Sequence, residues 1–498
     1  MKRIIVICLL CALLAACQPT PEQEFVTHKD TDEMLAKAAE PVEEAVSFSG
    51  GTEEGRELPE APHIRARYAI PERLMETVTE ADGHFVVDID APVEVPDVAA
   101  IPIIRVERGT FTQDEVTRLF NALTKGRTLY HNSRQMTKSQ IAEAVARLEN
   151  ELNDPNSKLE PDDRESYAES IANLKELFKA APDELHEDVC DGTIVALPTK
   201  INDEITVIRR GFHGISRDDG PTMYCYFEIG GDDPRENLMD ANFWFSDHRS
   251  LLQGADGDIK IRIQDPKDPV ELSDYLNVTY TPDDAMADTE AFFRDAGFPF
   301  VRADSLTFFP SKDGSRYGYQ VKCVRETADV KVMNGGFETG SFEDGFAKAW
   351  QYEDIEVCID EQGIYAFHWR APLKVTETVL GATNLLPYGE IVEKMRRQLW
   401  IEKQPWLTLD ENAVMEEDFP SDLKIEVFRV TLTLQRVMEK NKFDSGLLVP
   451  VWNFWGTISE TRVNKKTRAI YVDFRDARDP LVSINAIDGS IIDPWKGY

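Results

Sequence analysis

Ile355-Glu356-Val357-Cys358-Ile359-Asp360-Glu361-Gln362-Gly363-Ile364-Tyr365 alternates apolar and polar side chains, breaks at a polar turn with Gly363, and resumes. Period-two alternation on both sides of a short turn marks a β-hairpin with one face buried. Upstream, Phe300 to Phe309 and Tyr317 to Arg325 predict two more strands. Before them, Thr281-Pro282-Asp283-Asp284 supplies an N-cap and a proline at the first helical position, and Gly297 stands where that helix should close. Downstream the same order begins again. Pro387 opens a helix with Ile391, Met395 and Leu399 on one face, and strands follow at Leu423 to Leu434, Leu447 to Trp455 and Arg468 to Phe474. Val482 to Ile492 closes the chain in a last tight turn. A helix followed by an antiparallel meander, twice over, predicts an α+β fold with a duplicated C-terminal half, in repeats 276–380 and 381–498.

The region 63–275 is expected to form an N-terminal α+β domain. Leu74 to Asp90 alternates around Ala81-Asp82-Gly83 as a hairpin, and Ile101 to Val106 is a further strand. Residues 111–180 are helical. Thr112 and Glu115 form a capping box, Thr137 and Gln140 repeat it, and a third helix starts after Pro161. The second and third of these helices are short and charged, and predict an inserted, projecting helical hairpin. From Val189 to Phe245 the pattern returns to strands.

The N-terminus sets the compartment. Lys2 and Arg3 precede an apolar run from Ile4 to Ala16, and Leu14-Ala15-Ala16-Cys17 follows the lipoprotein cleavage pattern. Residues 1–17 are therefore expected to be a lipoprotein signal, with Cys17 as the lipid-attachment residue, anchoring the chain to the extracytoplasmic face of the cell membrane. Residues 18–62 are expected to be a disordered tether, because Pro21 to Glu60 holds 12 acids and three bases. The formal charge is −35, and −37 once Lys2 and Arg3 leave with the signal. A field of that sign repels phosphate backbones, so nucleic acid is not an expected partner.

Three stretches carry a resemblance. Cys17-Gln18-Pro19-Thr20-Pro21, Asp88-Ile89-Asp90-Ala91-Pro92-Val93-Glu94-Val95-Pro96-Asp97 and Phe111-Thr112-Gln113-Asp114-Glu115-Val116 resemble a family of Gram-positive, gut-type bacterial lipoproteins of unknown function. The ending Ala486-Ile487-Asp488-Gly489-Ser490-Ile491 is similar to peptidase-propeptide (PepSY-like) modules and to accessory proteins of cell-wall sensor kinases. These resemblances imply a binding or regulatory module and bring no catalytic residues.

Motifs for chemistry are sparse. Phosphate-loop, zinc-protease and nucleophile-elbow patterns do not occur, so no cofactor or metal is expected. Ser421-Asp422-Leu423-Lys424 fits S-x-x-K, with Lys466-Thr467-Arg468 as an approximate companion. His186, Glu187, Asp188 and Cys190 have ligand chemistry at adjacent spacing, and read better as a solvated turn. Asp232, Asp233, Glu236 and Asp240 lack calcium-loop spacing and read as a surface turn. The glycine-rich stretch at Asn334-Gly335-Gly336, Gly340 and Gly345 joins strands, not a strand to a helix, so it is unsuited to phosphate. Phe243-Trp244-Phe245, Phe367-His368-Trp369 and Trp452-Asn453-Phe454-Trp455 read chiefly as core, although alternation sets Trp244 on the face opposite Phe243 and Phe245. Cys190, Cys225, Cys323 and Cys358 have no Cys-x-x-Cys spacing. Cys323 and Cys358 are expected on opposite faces and unbridged. The expected function is that of a non-catalytic binding, sensor or accessory module of the envelope, with a protein or peptide partner. The alternative is a wall-directed hydrolase with paired carboxylates.

Overall fold

The hairpin at 355–365 lies in the middle of a twelve-stranded sheet. The structure, a computed structural model, describes residues 31–40, 63–131, 137–153, 161–181, 183, 188–200, 206–217, 222–230, 241–247, 261–262, 279–310, 317–333, 351–408, 418–439, 445–464, 466–476 and 480–492. In chain order, α1 (Thr31–Ala38), α2 (Ile64–Arg67), β1 (Arg73–Glu80), β2 (Phe85–Glu94) and β3 (Ile103–Arg108) come first. Then follow α3 (Gln113–Thr124), β4 (Leu129–His131), α4 (Lys138–Asn153), α5 (Pro161–Ala180), β5 (Val189–Cys190) and β6 (Val195–Lys200). After them come β7 (Thr206–Ser216), β8 (Tyr224–Ile229), β9 (Asn242–Ser246), β10 (Ile261–Arg262) and α6 (Pro282–Asp295). The next strands are β11 (Val301–Pro310), β12 (Tyr317–Thr327), β13 (Val330–Lys331), β14 (Asp354–Asp360), β15 (Gly363–Arg370) and β16 (Leu373–Leu380). The chain continues through α7 (Tyr388–Thr408), β17 (Asp418–Met438), β18 (Ser445–Asn464), β19 (Ile470–Asp476), β20 (Val482–Asn485) and β21 (Ile491–Ile492).

The twelve-stranded central sheet runs β10-β11-β12-β14-β15-β9-β8-β7-β4-β5, with β6 on β7 and β13 on β12. It contains two helix-plus-meander units. One is α3 with β4, β7, β8 and β9; the other is α6 with β11, β12, β14 and β15. They join last strand to last strand, β15 antiparallel to β9, with Phe367 opposite Phe245. Thr112–Glu115 and Thr281–Asp284 close the capping boxes of α3 and α6. Both helices bury apolar stripes in one aromatic core. Trp369 is central to it, with Phe111 at 5.0 Å and Phe293 at 5.8 Å between ring centroids, both edge-on. The expected helical hairpin, α4 and α5, is inserted between β4 and β5, and Lys175 meets Glu149 across it at 2.6 Å.

The nine-stranded terminal sheet runs β1-β2-β17-β18-β20-β21, with β3, β16 and β19 attached. It is built from both ends of the chain. β2 lies parallel to β17, with Val87 opposite Ile425, and α7 covers this face through Ile391, Met395 and Leu399. The duplicated pattern is therefore present, since α6 and α7 each precede an antiparallel meander. The expected boundaries differ from the sheets. Within 63–275, β1–β3 belong to the terminal sheet and the later strands to the central one, and β16 leaves 276–380 to pair with β3. These long-range pairings have no local signature: the alternating face of β2 states that it needs a partner, not which one.

The expected tether also differs in one part. Residues 31–38 form α1, with Met34 and Ala38 buried against the outer face of the terminal sheet. Met34, Leu35 and Ala38 make one short helical stripe within an acid-rich stretch, and a ready-made apolar surface suffices to fold it. Residues 1–30, including Cys17, and 41–62 lie outside the described residues. Among the described residues no helix is long and apolar enough to cross a membrane.

Candidate functional site

Helices α3 and α6 cover one face of the central sheet, and strand alternation sends the intervening side chains to the other. On that face, register aligns His213, Tyr226, Trp244, His368, Glu356 and Lys322 in a single row across β7, β8, β9, β15, β14 and β12. Five strand spacings make the row about 24 Å long. It crosses the seam between the two units and changes character there. On one side Tyr226 and Trp244 stack at 5.2 Å, and His213 packs edge-on to Tyr226 at 5.7 Å. On the other side the row is charged. Lys322 contacts Glu356 and lies 3.1 Å from Asp354, which also meets Arg370 at 3.2 Å.

Asn242 ties the halves together. Its Nδ2 donates to the Tyr226 hydroxyl at 3.5 Å, and its Oδ1 accepts from His368 Nε2 at 2.9 Å. Glu228 holds His213 at 2.5 Å and Arg209 at 3.3 Å. Burial raises the Tyr226 phenol, with Glu228 adding to it against Asn242, so it stays neutral. Burial opposes the Lys322 charge, but Asp354 and Glu356 outweigh it and hold its pKa above the ordinary value. Among the described residues, the carboxyls displaced from their usual range, Asp191, Asp284, Asp304 and Asp422, all move down.

His368 is half-buried, and burial lowers its pKa against the opposing effect of Asp354. The unfolded chain protonates this histidine near about 6.5, the folded chain only at lower pH. Its contribution to stability is therefore complete above about pH 6.5 and declines as pH falls toward the folded value. The urea midpoint should drop between pH 7.5 and 5.5, and less so in His368→Gln. An equal drop in both proteins would remove His368 as the cause.

The other candidate residues do not assemble sites. Ser421 Oγ donates to Asp422 Oδ2 at 2.7 Å and Thr461 O at 3.3 Å, while Lys424 pairs with Glu426 at 2.6 Å. Ser421 sits where the register of β17 shifts, and the partner of the Lys424 ammonium is Glu426, not the Ser421 hydroxyl. The backbone N–H groups of Lys466 and Thr467 cap Asn464 Oδ1 in a turn. Cys190 is buried, and burial pushes its thiol up to about 11. His186, Glu187, the acidic loop at 232–240 and the glycines at 334–345 lie outside the described residues. Among the described residues no group of three or more His, Cys, Asp or Glu could hold a metal. Cys323 stands opposite Ile355 and Cys358 opposite Gln320, on different faces, and no disulfide joins them. Burial raises every one of the four thiols, which makes them poor nucleophiles.

Phe243, Phe245, Phe367, Trp369, Trp452 and Phe454 are core, while Trp244 and His368 turn outward as alternation requires. Tyr226, His213, Asn242 and Lys322 were not singled out by motif. The alternation around Tyr226 was readable, but the register that gathers the row was not. The edge of β15 that could have accepted a strand is closed by β9. Among the described residues, the terminal sheet keeps β1, β16, β19 and β21 as outer strands, with Ile470 and Val472 of β19 exposed at 69% and 62%.

No family model matches the chain, and no curated protein matches it. Among solved structures, an uncharacterized protein from Eubacterium rectale ATCC 33656 is 10% identical over 86% of this chain and 95% of its own, with a TM-score of 0.40. The C-terminal domain of Bacillus megaterium YpeB is 10% identical over 68% of this chain and 98% of its own, with a TM-score of 0.22. At such distance neither says what this chain does.

Proposed function

We propose that this is a lipoprotein anchored through Cys17 on the extracytoplasmic face of the membrane, a non-catalytic binding module of the envelope. Its partner, a protein or peptide of basic and aromatic character, lies along the face of the central sheet opposite α3 and α6. The observation that carries this reading is the row from His213 to Lys322, aligned across the seam of two units. Tyr226 and Trp244 offer a stacking surface that also suits a cation, and Glu228, Asp354 and Glu356 lie beside it. A chain charge of −35 steers a basic partner and makes capture weaken with salt. The resemblance of the C-terminal end to PepSY-like modules agrees with a binding role.

A photo-reactive residue at Ala366, on the same face, should cross-link a partner on intact cells, whereas one at the exposed Met75 should not. Salt should reduce the yield, and Trp244→Ala should reduce it about tenfold or more. Turnover of purified wall material, abolished by replacing Asp354 or Glu356, would overturn the non-catalytic reading.

A further inference from the structure

The outer face of the terminal sheet carries an apolar slot formed by Ile103, Val437, Leu447, Val449, Val451 and Ile487, and its occupant is α1. The sheet beneath is complete without α1: β18 pairs with β17 from Gly446 to Asn464 and also with β3, β19 and β20. The occupant is small. Of its eight residues only Met34 and Ala38 are buried, with Leu35 partly so. The Asn384 amide donates to Ala38 O at 2.9 Å, and Asn485 Nδ2 lies 3.3 Å from Met34 Sδ. Eight residues do not hold a helix alone in water, so α1 is helical because it is docked. Ordering those residues opposes the modest burial, which places their release among the low-energy local openings. The stretch 21–60 carries 12 acids and three bases beside a chain of charge −35, so repulsion also favours release.

We propose that Thr31–Ala38 is a displaceable clip: the slot is a helix-binding site, and its ligand is carried on the arm of the same chain. Resting on the anchoring reading above, release lengthens the membrane connection. With the clip docked, the 13 residues 18–30 separate Cys17 from the sheet and span at most about 45 Å. With it released, the 45 residues 18–62 intervene and span at most about 155 Å.

Hydrogen exchange on the full mature chain tests the slot. Amides of residues 34–38 should exchange at least about a hundredfold faster than those of Leu447–Val451. Met34→Asp should abolish their protection while leaving that of β18 and the thermal midpoint nearly unchanged. Exchange of α1 in step with β18, or loss of β18 protection in Met34→Asp, would make α1 an integral layer of the sheet and overturn the proposal. The arm is tested with lipidated chains on phosphatidylglycerol vesicles, labelled at Glu361→Cys, by energy transfer to a dye in the vesicle surface. Transfer should fall in Met34→Asp relative to the parent, and equal transfer would overturn the lengthening. A chain that does not bind the vesicles would overturn anchoring at Cys17 and the lengthening with it, and the exchange result alone then decides the slot.

Discussion

Glu353→Ala is expected to destabilise the folded protein by about 3–5 kcal/mol, because it breaks a buried ion pair from one side only. Glu353 is 1% exposed, and its carboxylate accepts from Arg325 Nε and Nη2 at 2.8 Å each. It also accepts from Trp369 Nε1 at 3.0 Å and from the Leu373 amide at 3.3 Å. Alanine leaves a buried guanidinium, an indole N–H and a backbone N–H without their acceptor. The location enlarges the effect: Trp369 belongs to the aromatic core of the central sheet, while Leu373 begins β16 of the terminal sheet. Urea denaturation should show a lower midpoint, and a second transition if the sheets uncouple. Glu353→Gln should lose less. Arg325→Met combined with Glu353→Leu should recover the part of the loss due to the orphaned guanidinium, since exchanging a whole buried pair for apolar groups is often neutral, while the Trp369 and Leu373 N–H groups still lack an acceptor; the Phe300 ring, 4.2 Å from the guanidinium, would pack against the methionine. A cost below about 1 kcal/mol for Glu353→Ala would show the pair to be incidental.

Cys17→Ala should move the protein from the membrane fraction to the soluble fraction almost completely. The anchoring proposed above attaches a diacylglycerol to the Cys17 thiol, and two acyl chains hold a protein on a bilayer where a single chain with an association constant of about 10⁴ M⁻¹ releases it. Alanine has no thiol to acylate. At −37 the mature chain is repelled by anionic headgroups and gains no compensating surface attraction. Detergent phase partitioning and membrane fractionation read the change directly. Retention of the alanine variant in the detergent phase would require a different anchor.

Local chemistry made much of the fold legible. The capping boxes at Thr112 and Thr281, Pro282, Gly297 and the alternating hairpins at 74–90 and 355–365 each declare themselves within a dozen residues. What escaped depends on partners far along the chain. The unit α3–β9 was hidden because α4 and α5 interrupt its meander. α1 was hidden because its short apolar stripe lies within 21–60, a stretch whose composition is set by 12 acids. At the site, alternation turned Trp244 outward, but only pairing across β9 and β15 set His368 beside it.

The parallel pairing of β2 with β17 imposes a waiting time on biogenesis. Val87 meets Ile425, so 338 residues must still be made after Val87 before its neighbour exists. At ribosomal rates of about 5–20 residues per second, that is roughly 17–70 s. Throughout it, the hairpin of β1 and β2 presents an apolar face and an open edge, the features that seed intermolecular pairing. A chaperone that retains the nascent chain for about a minute would therefore shield this hairpin before any other element, and slower elongation would lengthen the interval in which aggregation competes with closure of the sheet.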